Sequence, residues 1–281
     1  MKSEDVIVKE KHIKWDKIFY GDDWVNNVVE TIRTKDILQS VYLKRYLLRA
    51  MMAGFIIGII TVFVLSVKAT HEPDLPPGIV NMASAITFSF ALVLILFTNS
   101  ELLTSNFMYF TVGLYYKVVS VKKMTWILLY CFLGNILGGF VLFFLMKFAH
   151  VMTPEMTQAL TALVQKKTVD STWLNIFTKG IFCNFFINIG IFISMQFKGG
   201  LTKAFFIACG VVVFVYMGYE HVVFNAGLYA GMVFFNLDAV SWLHVLKNIV
   251  FAFLGNFVGG GIFVGLVYAF LNGKRNRLEQ Q

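Results

Sequence analysis

Apolar and polar positions fall in long blocks along this chain, unlike the short rhythm of a soluble fold. Some fifty mostly polar residues come first, and residues 1–20 read as a polar tail. Val25, Val28, Val29, Ile32 and Ile37 then recur at helical spacing after Gly21-Asp22-Asp23, which predicts an amphipathic helix over 24–47. Four clean apolar runs follow at Tyr46–Val67, Met124–Met146, Trp173–Met195 and Leu243–Leu271. Each is long enough for a hydrocarbon core about 30 Å thick, which needs about 20 helical residues. His71–Gly78, with three prolines, predicts a turn-rich loop.

Two further apolar stretches do not fit one crossing. Ile79–Tyr116 would be ~57 Å long and Ala204–Phe235 ~48 Å as single helices at about 1.5 Å per residue. Polar and ionisable residues interrupt both, at Thr98–Asn106 and at Glu220–Asn225. Two full crossings fail on length, because the piece after each interruption is only about half the ~20 residues required. Two broken helices are therefore predicted, with irregular backbone buried in protein or lining a wet cavity. Charge bias does not separate the two topologies; length does.

The interruptions repeat. Glu101…Asn106 and Glu220…Asn225 are followed by Gly134-Asn135-Ile136-Leu137-Gly138-Gly139 and Gly255-Asn256-Phe257-Val258-Gly259-Gly260 at matching distances. Each half reads as span, broken span, span. Three crossings is an odd number, so the second half must be inverted, an arrangement that places a conduit at the repeat interface. The expected architecture is all-α and polytopic, with six transmembrane segments in two inverted three-helix repeats. Its parts are a tail and amphipathic helix at 1–47, a transmembrane pore domain at 48–271 (repeats about 48–146 and 173–271) and a tail at 272–281.

Composition agrees. Hydrophobic types make up 58% of the 281 residues and charged types 14%, against about 45–50% and about 25% in soluble domains. The formal charge of +8 gathers at the ends, with ten Lys/Arg in the first 49 residues and Lys274, Arg275 and Arg277 at the close. That is the positive-inside pattern of a protein with both termini in the cytoplasm and its spans in the cell membrane. Nucleic-acid binding would need a basic face on a folded soluble module, which the pattern does not supply. The opening run is too polar for a signal peptide. Cys131, Cys183 and Cys209 sit in apolar runs without metal spacing, as buried small residues do.

Among the acidic residues only Glu101 and Glu220 lie inside apolar stretches. Intramembrane ionisable groups are functional candidates by default. Their equivalent repeat positions favour a scaffold role, each carboxylate accepting backbone N–H where its helix breaks. His221 differs, because its repeat partner is Leu102 and symmetry does not require it. It can donate, accept, or change charge near neutral pH. Asn135 and Asn256 face a pore on the sharper reading and bond helix to helix on the plainer one. Lys166 and Lys167, in the long external loop before the fourth span, are a solvated pair or an anion-attracting mouth. No nucleotide, zinc or nucleophile motif is present, so no enzyme activity, cofactor or metal is expected.

At these residues the chain resembles the formate/nitrite transporter family. The resemblance runs from about residue 24 to 272 and rests on Glu101-Leu102-Leu103-Thr104-Ser105, Gly180-Ile181-Phe182-Cys183-Asn184, Glu220-His221…Asn225 and Gly255–Gly261. It implies an aquaporin-like protomer with its own pore in a homopentamer. Its central histidine falls on His221, its facing threonine on Thr104 and its pore asparagine on Asn256. An outer apolar constriction maps to Phe88, Ile187 and Phe214, and an inner one to Leu92, Leu102 and Leu103. The vestibule lysine maps to Lys167 rather than Lys166, and Glu101, Glu220 and Asn225 hold the helix breaks. The implied activity is passage of formate, or a similar small monovalent weak-acid anion, with a proton. Nitrite, hydrosulfide, lactate and acetate are the alternatives, and a water- or glycerol-like pore and a membrane-embedded enzyme the remoter ones.

Overall fold

The computed structural model describes residues 21–272, so the polar tails expected at both ends lie outside the described residues. Helix α1 (Gly21–Val41) buries Trp24, Val25, Val28, Val29 and Ile32, as its spacing predicts, with Trp24 edge-on to Phe192. The expected stripe stops short of Ile37, which is 53% exposed; Lys35 turns inward instead. Tyr42 separates α1 from α2 (Leu43–His71), so the helix expected to reach residue 47 ends at Val41.

The remaining elements are α3 (Pro77–Phe97), α4 (Leu103–Tyr115), α5 (Val121–Ala149), α6 (Pro154–Thr168), α7 (Trp173–Ser194), α8 (Gly200–Tyr216), α9 (Val222–Phe235) and α10 (Trp242–Asn256). From α10 the chain continues through a π-helical segment, Phe257–Leu266, into α11 (Val267–Asn272). Among the described residues every regular element is helical, and five helices are long and apolar enough to cross a membrane: α2, α3, α5, α7 and the continuous Trp242–Asn272. Large apolar side chains such as Phe63, Phe90, Phe144 and Phe270 cover the outside. The chain is a polytopic helical membrane protein.

Both long stretches are broken, α3 from α4 and α8 from α9, and the two breaks are built alike. The last turn of α3 closes with Asn99 at φ 50° and Ser100 N–H donating to the Ile95 carbonyl; α8 closes with Gly218 at φ 66° and Tyr219 N–H donating to the Phe214 carbonyl. Left-handed backbone is where glycine is free and asparagine tolerated. A short extended run then leads into α4 or α9. The arms are unequal: α3 alone holds 21 residues, while α4 and α9 hold 13 and 14. The interruption thus falls past the middle of the first stretch and close to the middle of the second, where α8 holds 17 residues against 14 in α9.

The helix pairs beside the breaks need small residues. Gly54 and Gly138 bring α2 against α5, each facing backbone of the other helix (Asn135 and Met51), and Gly255 and Gly259 do the same for α10 and its π-helical extension against Phe177 and Ile181 of α7. A methyl group at Gly138 would collide with the Met51 carbonyl oxygen, which cannot swing aside. Gly138→Ala is therefore expected to destabilise the protein by about 1–3 kcal/mol, the range for overpacked cores. Thermal unfolding in detergent checks this.

One element escaped the sequence reading. The segment before the fourth span contains α6, capped by the Thr153 hydroxyl accepting from Met156 N–H and burying Met156, Leu160, Val164 and Lys167. Hydrogen bonding to the Thr153 side chain and to its own backbone holds the Glu155 carboxyl below its usual range.

Candidate functional site

Two asparagines span the helix breaks. Asn135 Nδ2 donates to the carbonyls of Ala50 and Glu101 (both 2.8 Å), and its Oδ1 accepts from Leu103 N–H at 3.1 Å. Asn256 Nδ2 donates to the carbonyls of Gly180 (2.8 Å) and Glu220 (2.7 Å), and its Oδ1 accepts from Val222 N–H at 2.9 Å. Each amide thus meets two backbone groups freed by the break, one carbonyl and one N–H, and ties them to a carbonyl of a neighbouring helix, Ala50 of α2 or Gly180 of α7. Asn256 is fully buried and these bonds commit its whole amide, which matches the plainer of its two readings.

The carboxylates do a different job from the one expected. Glu101 Oε2 accepts from Asn106 Nδ2 at 3.3 Å and pairs with the Lys35 ammonium, while Oε1 lies 3.5 Å from Arg49. Glu220 Oε2 accepts from Asn225 Nδ2 (2.6 Å) and Asn248 Nδ2 (3.2 Å) and pairs with Lys167 at 3.1 Å. Amide and ammonium groups are their donors. Backbone N–H satisfaction passes to Asn135 and Asn256, whose side chains lie across the gap.

Because the Lys167–Glu220 pair is buried on both sides, removing one partner strands the other charge. Lys167→Met is expected to cost about 3–5 kcal/mol, as breaking a buried ion pair does. Lys167→Met with Glu220→Gln should recover most of that loss in a thermal melt. Equal losses in the single and double variants would mean the pairing contributes little.

At the centre, α4 and α9 bring their N-termini together. Thr104 Oγ1 lies 3.0 Å from His221 Nε2, and both residues are buried. His221 is the N-cap of α9, with Nδ1 accepting from Phe224 N–H at 2.9 Å. Nδ1 is therefore an acceptor, and the neutral ring carries its proton on Nε2, facing Thr104. The Thr104 carbonyl is held by Asn184 Nδ2 and Asn188 Nδ2, both at 3.1 Å. A methyl at Gly260, in the π-helical segment, would collide with both amides. Sequence reasoning missed Asn188 and the π-helical segment.

This pair lies between two cavities. One, of about 500 Å³, opens on the face of α1 and is lined by Leu92, Leu102, Glu101, Lys35, Arg49 and Lys203 among others. The other, of about 170 Å³, is lined by Phe88, Phe214, Phe224, Lys166, Lys167 and Lys68 among others. Arg49 and Lys68 stand near opposite ends of α2, ~28 Å apart at about 1.5 Å per residue. The two breaks thus open to opposite faces, as an inverted repeat requires. Of the residues assigned to constrictions, Phe88 and Phe214 line the smaller cavity and Leu92 and Leu102 the larger; Ile187 and Leu103 are buried and line neither. Lys166 is exposed, whereas Lys167 is buried against Glu220.

Residues 22–270 match the sequence model of the family described as "Formate/nitrite transporter". The nitrite transporter NirC of Escherichia coli is 28% identical over 228 residues, 80% of this chain and 83% of NirC. Among solved structures, a chain described as an FNT family ion channel superposes with a TM-score of 0.83 at 25% identity, covering 89% of this chain and 99% of that one. A pentameric formate channel with formate bound superposes at 0.68 and 24% identity, covering 81% and 96%.

Proposed function

Because this chain belongs to the formate/nitrite transporter family, and so to channels and transporters rather than enzymes, we propose that it carries formate or a similar small monovalent weak-acid anion together with a proton. The observation that carries this reading is the Thr104–His221 pair, set where two helix N-termini meet between cavities on opposite faces. Helix N-termini favour electron-rich groups, and because His221 Nε2–H donates to the Thr104 oxygen, the Thr104 hydroxyl is free to donate to a passing carboxyl oxygen.

The path runs from the Lys166/Lys167 cavity past Phe88 and Phe214 to Thr104 and His221, then past Leu92 and Leu102 into the cavity beside Lys35. Lys166, exposed at the mouth, and Lys167 below it draw the anion in. The aromatic barrier then strips its water, which penalises the charged form and favours uptake of a proton. Thr104 and His221 replace part of the lost hydration. Asn256 acts by holding the break in shape, as do Glu101, Glu220 and Asn225.

The cap on Nδ1 favours a neutral His221. Protonating that nitrogen would turn two donors, Nδ1 and Phe224 N–H, toward each other and sacrifice the cap. Protonation of the anion in the vestibule avoids this cost. The α1 face, which carries Arg33, Lys35, Lys44, Arg45 and Arg49 on α1 and the start of α2, is assigned to the cytoplasm by the positive-inside rule. The proposal includes assembly as a homopentamer in the cell membrane, supported by the fold shared with the pentameric formate channel.

The test is uptake into proteoliposomes of labelled formate and nitrite beside osmotic swelling in glycerol. Saturable anion uptake above protein-free liposomes supports the proposal. Glycerol or water permeation without anion uptake would replace it with a neutral-solute pore.

A further inference from the structure

We propose that Phe224 is a further wall of the aromatic barrier and sets the upper size of the anion admitted from the Lys167 side, an inference that rests on the transport reading above. The constriction assigned from the sequence holds Phe88, Phe214 and Ile187, but Ile187 does not line the cavity above it and Phe224 does. The Phe224 ring meets Phe88 edge-on, with centroids 4.9 Å apart and planes at 75°. Phe88 in turn meets Phe214 edge-on at 6.3 Å and 83°, a looser contact than the one with Phe224. Phe214 stacks on the His221 ring at 5.9 Å and 15°. The four rings form one chain from the cavity floor to the central histidine.

Two further contacts fix the Phe224 ring. The Lys167 ammonium stands 5.7 Å from its centroid while also pairing with Glu220, so a cation held by a buried carboxylate presses on its face. Edge-to-face packing against Phe88 matches the positive ring edge to the negative ring face. A ring held from both sides is a fixed wall.

Position 224 is also unusually separable from the rest of the site. Its backbone N–H, not its side chain, caps α9 through His221 Nδ1. Shortening the side chain therefore leaves the cap, the histidine tautomer and the Thr104 contact in place, and opens space on the cavity side. A planar one-carbon anion needs little of that space. The extra carbons of lactate need the volume the ring occupies.

The experiment is competitive uptake of labelled formate and lactate into proteoliposomes by the wild type, Phe224→Ala and Phe224→Leu. The lactate-to-formate ratio is expected to rise about tenfold in the alanine variant, in the range that small volume changes in an apolar pocket produce, and by less in the leucine variant. An unchanged ratio in variants that still carry formate would overturn the inference while leaving the transport reading intact. If the alanine variant does not assemble, the leucine variant decides, with a raised ratio in favour and an unchanged one against. A wild type that carries neither anion overturns the transport reading, and this inference with it.

Discussion

Asn256→Ala is expected to abolish anion uptake and to lower stability sharply. The substitution removes one amide and strands two buried backbone groups at the break, the Glu220 carbonyl and Val222 N–H, besides the tie to the Gly180 carbonyl of α7. Each unsatisfied buried group costs about 1–3 kcal/mol, and no water is at hand in a bilayer core to take the place of the amide. The Glu220–Val222 run would collapse toward a different path, taking His221 with it. Asn135→Ala should do the same to the other break through the Glu101 carbonyl and Leu103 N–H. The readouts are the melting temperature of purified protein and formate flux in proteoliposomes. A variant that melts like the wild type would show that the two amides are dispensable.

His221→Phe and His221→Asn separate the two tasks of the histidine. Phenylalanine removes both the cap on Phe224 N–H and the donor facing Thr104. Asparagine is among the preferred N-cap residues, so it keeps the start of α9 while its shorter side chain cannot reach Thr104. Loss of the cap costs about 1 kcal/mol, so His221→Phe should melt lower than His221→Asn. Both should lose most of their formate flux, roughly fivefold or more if the crossing acid is left with an unsatisfied polar group at a cost of about 1–3 kcal/mol. Wild-type flux in His221→Asn would mean that the imidazole serves only as a cap.

The breaks were legible because they need rare residues in a greasy chain. Glu101 and Glu220 stand out inside apolar runs, and the matching intervals to Asn135 and Asn256 expose the repeat. What each side chain does there was not legible. A carboxylate and an asparagine can each satisfy backbone N–H, and only their placement across the gap assigns that work to the asparagine. Helix α6 did carry its signal: Thr153-Pro154-Glu155 is a helix start, and Met156, Leu160 and Val164 recur every four residues. The length of the connection masked it.

The π-helical segment at Phe257–Leu266 has no period of its own in the sequence, since its glycines read equally as close packing. Its close neighbours, among them Asn184 and Asn188 beside Gly260, come from a distant part of the chain. Lys35 looks like one more solvated charge on an amphipathic helix until α1 folds over Glu101. Phe224 is one of 30 phenylalanines, and nothing in its spacing sets it apart. These are long-range facts, fixed by which helices meet.

The measurement that bears most directly on the account is proton movement during formate uptake. Proteoliposomes with the membrane potential clamped and a pH indicator inside would report it, with protein-free liposomes as the reference. An anion that crosses the aromatic and leucine barriers only as its neutral acid must bring one proton with it, so the interior should acidify in step with labelled formate and no net current should flow. Formate entry as a current, with the internal pH unmoved, would contradict the account.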